Sequence, residues 1–212
     1  EVNPAVLFNN KRADYMQFLP MEKISYQRAA VAQFLTFLNT AAPDDVGFSD
    51  CIFQMPNFYY MRGVAAKPTS QRSFLERVKS LSSEFRTPPI PENAPATDIT
   101  AFGLFNVSNV NMGAVTTFVK AAEQAEELKA FKTLATNQKV TLNGLDKPVV
   151  EDFGVYKRYT YQASSTSDFP ELQAFFAALS ESPVRVGVQK IEMKFVKKYM
   201  QTALSVVMFV AP

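Results

Sequence analysis

Val184-Arg185-Val186-Gly187-Val188-Gln189-Lys190-Ile191-Glu192-Met193-Lys194-Phe195 is the stretch on which the fold turns. Val184, Val186 and Val188 alternate, and then Ile191, Met193 and Phe195 alternate on the opposite parity. Side chains of a strand point to its two faces in turn, so one buried face cannot run through that switch. A β-bulge or bend near Gln189-Lys190 restores it. A second strand follows over 201–210, in which Leu204, Val206, Val207 and Phe209 give apolar character on both faces. Such a strand is buried on both sides, either by its own fold or by a partner. Tyr199 and Met200 stand at the basic turn between the two strands, next to Lys197 and Lys198.

Upstream of this pair the pattern is regular. Asp168 caps a helix whose inward face is Leu172, Phe175, Phe176 and Leu179, and Glu171 completes a capping box. Glu181-Ser182-Pro183 ends it. A strand over about 149–163 and a short one over 138–143 precede it, the latter closing at Asn143-Gly144. A long helix is expected over 112–135, with Val115, Phe118, Ala122, Ala125, Phe131 and Leu134 inward and Glu123, Glu126, Glu127, Lys129 and Lys132 outward. Residues 99–107 read as a strand. From 99 onward the order is therefore β-α-β-β-α-β and one more β, an α+β fold in the ferredoxin-like arrangement with an extra C-terminal strand.

The N-terminal side reads as mainly helical over 1–87. Ile24, Val31, Phe34, Leu35 and Leu38 form an apolar stripe on a helix over 21–39. Phe74, Val78, Leu81 and Phe85 step by four, three and four on a second helix. Pro56 argues against a central strand over Cys51–Tyr60, and residues 44–50 lack the acid spacing of a calcium loop and read as a polar turn. Residues 88–98 carry Pro88, Pro89, Pro91 and Pro95 and form a semi-rigid connector to the ferredoxin-like domain of 99–212.

Composition removes most chemistry. The 212 residues contain no His and one Cys, which excludes Ser-His-Asp triads, Cys-His pairs, HExxH helices and thiolate metal cages. The seven glycines are never closer than ten residues, so neither GxGxxG nor a P-loop can exist. No Ser has a Lys three residues on. The expectation is of a protein that is not an enzyme, with no catalytic residue, no cofactor and no metal. Cys51 is a small buried hydrophobe. The chain starts at Glu1 without a leader and reads as a processed or truncated fragment whose membrane anchor preceded it; no run approaches a spanning helix. Charge is uneven: Arg185, Lys190, Lys194, Lys197 and Lys198 against Glu192 put about +4 on residues 184–212, a solvated strand face or a docking patch for an acidic partner.

An amphipathic helix, a Pro-rich break and a ferredoxin-like module ending in a strand pair resemble a family. The carrying segments are Phe169-Pro170-Glu171-Leu172-Gln173-Ala174-Phe175-Phe176-Ala177-Ala178-Leu179, Val186–Met193 and Ala203–Val210. Over about 69–210 the chain resembles the periplasmic part of PilO/GspM-type alignment proteins of type IV pili and type II secretion systems, including the pilus-cluster proteins of Akkermansia that share this fold. Residues 1–65 depart from that family's extended coiled coil, since Pro20 and Pro43 interrupt heptads. The resemblance implies a non-catalytic strut in the periplasm or cell envelope, anchored by an N-terminal segment. Its partners would be itself, as a homodimer, or paralogous pilus assembly proteins. The candidate interface is the final strand pair: Tyr199, Met200, Leu204, Val206, Val207 and Phe209.

Two competing readings bear on residues 151–161. Glu151 and Asp152 are adjacent acids on a strand, but strand neighbours face opposite ways and strand-end solvation is the better account. The strand Val155-Tyr156-Lys157-Arg158-Tyr159-Thr160-Tyr161 admits an alternative, an RNA- or other ligand-binding module whose sheet stacks bases on aromatics. Glu151 and Asp152 precede Phe153-Gly154 where the RNA recognition motif wants a basic residue and Gly, and Val155 and Arg158 stand where it wants rings. Tyr159 and Tyr161, sharing one face, fit packing or an interface better than a nucleic acid.

Overall fold

The computed structural model describes residues 12–88, 93, 95, 97–196 and 199–212. The chain's first eleven residues, most of the Pro-rich connector, and Lys197 and Lys198 of the expected basic turn lie outside them. In chain order the elements are α1 (Pro20–Ala41), β1 (Val46–Gln54), β2 (Phe58–Ala65), α2 (Pro68–Ser80), β3 (Ser82–Arg86), β4 (Asp98–Phe105) and β5 (Val119–Lys120). A 3₁₀ turn over Ala121–Glu123 leads into α3 (Gln124–Asn137), followed by β6 (Leu142–Gly144), β7 (Val149–Asp152), β8 (Lys157–Ser167), α4 (Phe169–Glu181), β9 (Gly187–Val196) and β10 (Tyr199–Ala211). Helix and antiparallel sheet are mixed throughout, so the molecule is α+β.

The ten strands among the described residues share one sheet, in the order β3-β4-β2-β1-β9-β10-β8-β6, with β5 beside β10 and β7 beside β8. That order is a repeat. The first half runs α1-β1-β2-α2-β3-β4 with sheet order 3-4-2-1. The second runs α3-β6/β7-β8-α4-β9-β10, and its strands take the same order when β6/β7, β8, β9 and β10 stand for β1, β2, β3 and β4. Two αββαββ modules are thus laid side by side. They join where β1 pairs antiparallel with β9, from Asp50↔Lys194 to Gln54↔Lys190, and above that seam α1 packs on α4 and β9.

The repeat changes the expected topology in several places. The strand read over 99–107 is β4, and it pairs with β2 and β3 of the first half, not with the second half's strands. The central place that a ferredoxin-like reading gave it belongs to β10, between β9 and β8. The mainly helical N-terminal region is corrected by β1, β2 and β3, which lie within it. Pro56 sits in the turn between β1 and β2, where no ladder hydrogen bond is needed. The second N-terminal helix stops at Ser80; Leu81 is exposed, and Phe85 continues the apolar spacing from a strand, opposite Gly103. Backbone crowding explains a glycine there, since a Cβ on Gly103 would meet the Glu84 carbonyl oxygen at 2.1 Å. The expected 112–135 helix begins only at the 3₁₀ turn, because Gly113 N–H bonds Asn111 Oδ1 in a local turn and Val119–Lys120 pair with β10. The single strand over 149–163 is a hairpin, β7 and β8, reversed at Phe153-Gly154 with Gly154 at φ +84°. The bulge read at Gln189-Lys190 is present: Ser205 pairs Lys190 and Val206 pairs Val188, leaving Gln189 over.

Helices pack over one side of the sheet, and Met21 and Ile24 at the start of α1 also reach the other face of β10 at Val207 and Phe209. Phe34 of α1 stacks on Phe53 (ring centroids 4.4 Å apart), and Phe105 packs against both Phe34 and Phe37. In the second half Phe131 of α3 meets Phe175 of α4 over Ile191, Leu204 and Ala163. One contiguous cluster of buried side chains runs through both halves, and the Pro-rich segment expected to join two domains falls in sequence between β3 and β4, inside the first half. Glu171 accepts a hydrogen bond from Asp168 N–H at 3.2 Å, fixing the start of α4 as the capping pattern requires.

Candidate interaction surfaces

Five of the six candidate interface residues are internal. Met200, Leu204 and Val206 belong to the main core, while Val207 and Phe209 join Met21, Ile24 and Val115 in a second apolar cluster. Strand β10 is paired on both edges and covered on both faces by the chain's own elements, so its two-sided apolar character is explained without a partner. Tyr199 alone of the six reaches the surface, at 45% exposure. This corrects the placement of the interface on the final strand pair: a strand's two-sided burial does not reveal who buries it.

Tyr159 and Tyr161 stack with centroids 6.3 Å apart. Tyr161 is buried, its hydroxyl bonded to Gln124 of α3, and that burial raises its pKa. It therefore faces the helices and cannot take a base. The opposite face of β8 presents Gln162, Ser164 and Thr166, all exposed and none of them a ring. Glu151 pairs with Arg158 and Asp152 with Lys157, and Asp152 also accepts a bond from Gly154 N–H at 2.8 Å. That backbone bond holds the Asp152 carboxyl below its usual range, with Lys157 adding to it. Both acids serve the hairpin.

The basic C-terminal charge is dispersed. Arg185 donates to Glu123, to Glu127 and to the Phe118 carbonyl, tying the 3₁₀ turn and α3 to the start of β9. Lys190 pairs with Glu192 on the face opposite the helices. Cys51 is fully buried, and burial pushes its thiol far above the ordinary range. Among the described residues no three Asp, Glu, Cys or His groups converge as a metal site would require, and no helix is long and apolar enough to cross a membrane.

The face opposite the helices forms rows that cross the seam. Thr100, Arg62, Asp50, Lys194, Gln201 and Thr166 make one; Phe102, Tyr60, Ile52, Glu192, Ala203 and Ser164 the next. Rings populate the first half, charges the seam, and small polar groups the second half. The two ends of the sheet differ again. Among the described residues β3 pairs only with β4, while β6 and β7 pair only with β8. Around β7, Val149, Val150, Phe153 and Val155 are 66, 46, 48 and 77% exposed. Sequence reasoning missed this edge by taking 149–163 as one strand, although Phe153-Gly154 beside Asp152 carries an ordinary turn signal.

The geometry defines an α+β protein of two fused antiparallel modules with apolar side chains left bare at one sheet end. No protein-family model matches the chain, and no curated protein does. Among solved structures, the crystal structure of the type 4 fimbrial biogenesis protein PilO from Pseudomonas aeruginosa matches at 15% identity and a TM-score of 0.37, over 43% of this chain and 70% of that one. This is a weak likeness of fold.

Proposed function

We propose that the chain is a non-catalytic scaffold that works through protein–protein contact and self-association. The observation that carries this is the sheet end at β7, an edge unpaired among the described residues and flanked by Val149, Val150, Phe153 and Val155 at the surface. Edge strands offer unpaired N–H and C=O groups to any second strand; here Pro148, Glu151 and Asp152 blunt part of the edge, while Val149, Val150, Phe153 and Val155 stay bare. Apolar side chains beside such an edge fit a surface that is occupied in the working assembly.

The finer reading rests on the resemblance of residues 69–210 to the alignment proteins of type IV pili and type II secretion. It makes the chain the periplasmic or cell-envelope part of an assembly protein, held at the membrane by an N-terminal anchor and pairing with itself or with paralogous assembly proteins. Cross-linking the native protein in intact cells and identifying its partners by mass spectrometry tests it. Cross-links to pilus or secretion assembly proteins are expected. Cross-links confined to unrelated soluble proteins, or tight retention of single-stranded RNA on a filter, overturn it.

A further inference from the structure

On the face opposite the helices, a cavity of about 340 Å³ lies at the seam. Gln54, Lys190 and Ser205 are successive partners there across β1, β9 and β10. The bulge residue Gln189 turns its carbonyl to Met55 N–H, at 2.9 Å, so the cavity sits where the bulge meets the end of β1. Three cations from three elements line it: Arg12, exposed on the helical turn over 12–17, Arg158 of β8 and Lys190 of β9. No Asp or Glu is among the described residues that do so. A fourth cation stands beside them, since Lys23 lies over the Tyr15 ring, 5.7 Å from its centroid. Burial lowers the Lys23 pKa, and the charge of Arg158 adds to the effect.

The surrounding carboxylates leave this charge unbalanced. Glu151 pairs with Arg158, and Glu192 with Lys190. Glu22 accepts from Leu19 N–H, and Asp14 lines a separate cavity beside Phe105. Arg12 has no ion pair among the described residues. The other two cations keep donors to spare. Arg158 binds Glu151 through Nε and Nη2, which leaves Nη1, and an ammonium with one partner retains two N–H groups.

We propose that this cavity binds a small organic phosphate, with Arg12, Arg158 and Lys190 on the phosphate and Tyr15, Met16 and Met55 against the organic part. The site stands apart from the scaffold reading and from the β7 edge. The donors select the ligand. They come from three separate elements and are joined by the neutral amides of Gln54 and Gln189. A phosphate, with three strong acceptor oxygens, can use all of them, whereas a single guanidinium fork already satisfies a carboxylate. Size points the same way. The volume lies at the lower end of small-molecule sites and exceeds what a bare phosphate fills, and the ring and the two thioethers supply the apolar wall for the remainder.

Isothermal titration calorimetry of the whole chain with glycerol 3-phosphate, inorganic phosphate and acetate, at constant ionic strength, tests it. Glycerol 3-phosphate is expected to fill one site with a dissociation constant of about 1 mM or tighter. Inorganic phosphate should bind more weakly and acetate not at all. Arg12→Gln and Lys190→Gln should each weaken glycerol 3-phosphate by roughly tenfold. Lys132→Gln, which removes an exposed cation on α3, should leave it unchanged, and thermal melts confirm that all three variants fold. Flotation with vesicles of phosphatidic acid in phosphatidylcholine distinguishes the source. Flotation that Arg12→Gln abolishes puts the phosphate on a lipid, and calorimetric binding without flotation makes it a free small molecule; both support the site. Absence of saturation by about 10 mM glycerol 3-phosphate overturns it. Equal weakening by Lys132→Gln, or acetate binding as tight as glycerol 3-phosphate, overturns it too. None of these results depends on self-association or on cross-linked partners, so the scaffold reading stands or falls separately.

Discussion

The two halves of the molecule share one topology and differ in how widely their first helices are buried. Helix α1 buries twelve of its 22 residues, whereas α3, its counterpart, buries Phe131 and Ala135 out of 14. The difference follows from position. α1 lies over the seam, packed against α4, β9 and β10 of the second half while its Phe34 stacks on Phe53 of β1, and so needs an apolar surface on several sides. α3 lies over the β6 end of the sheet and keeps one narrow stripe and a charged exterior. Place in the array, more than topology, sets the composition of each element. The sheet's other face shows the same divergence, with Phe58, Tyr60 and Phe102 in the first half and Gln162, Ser164 and Ser205 in the second.

The strongest way to break the comparison is to destroy one half and ask whether the other survives. Phe209 is 3% exposed, in the cluster with Val207, Met21 and Ile24. Phe209→Glu buries an unpaired carboxylate there and removes a ring, costing about 5 kcal/mol or more, which is comparable with the whole stability of many domains. Far-ultraviolet circular dichroism should show an unfolded chain. Because the halves share a sheet and a core, β1–β4 should unfold with β8–β10. Slow amide exchange persisting in β1–β4 would show instead that the first half folds alone.

Arg28 is the next lever, because it ties the halves together. Its guanidinium is buried and donates to the carbonyls of Val184 and Ser182, at the end of α4. Burial lowers its pKa to about 10, partly offset by Glu127. Arg28→Ala strips two carbonyls of their donor and opens space beside α4, for a loss of about 2–4 kcal/mol. Urea unfolding followed by exchange in each half should remain cooperative but shift to lower denaturant. If Arg28→Met recovers most of the loss, packing of the stem is the main contribution and the charge is incidental.

The second half was the more legible in sequence, and the reason is local. The Asp168/Glu171 cap, the Leu172–Leu179 stripe and the parity switch at Gln189 are properties of short windows, and each stands where the sequence places it. The first half hides its strands. Leu81 and Phe85 continue the apolar spacing of α2 into a strand, and the run Cys51–Tyr60 is one hairpin read through a proline that occupies its turn. The repeat was illegible because which strand pairs β4 is a long-range fact: the same residues 98–105 fit either module by pattern alone. The interface went astray for a related reason, since apolar faces on β10 say that burial occurs and not what supplies it.

Buried phenols sharpen the contrast under alkaline conditions. Burial raises Tyr59 and Tyr15 to about 12 and raises Tyr26 further, all in the first half or just before it, whereas the second half has Tyr161 raised. A folded pKa above the unfolded value of about 10 contributes stability that is complete below that value and is lost as pH rises through the folded one. The first half should therefore open first above about pH 10, read as exchange in β1 and β2 ahead of β8. Tyr59→Phe loses the bond to Ser82 Oγ, 2.7 Å long, for about 1 kcal/mol at neutral pH, and should move the alkaline onset upward.

The seam's surface charges make the smallest expected change and test which half owns them. Arg62 donates to Asp50 through Nη2 at 2.6 Å and Nε at 3.1 Å, and Lys194 stands opposite Asp50 on β9 of the other half. Arg62, and more weakly Lys194, hold the Asp50 carboxyl below its usual range. Stability from a lowered carboxyl pKa is present above the unfolded value near 4 and lost as pH falls through the folded one. Asp50→Asn should flatten the acid limb of a urea-midpoint profile below about pH 4, with little change at neutral pH because water and salt screen the pair. Lys194→Ala distinguishes the owners. If the carboxylate is held by its own module's Arg62, that variant leaves the acid limb intact. If the limb flattens as much as in Asp50→Asn, the charge network is a property of the seam, and the halves are coupled at their surface as well as in their core.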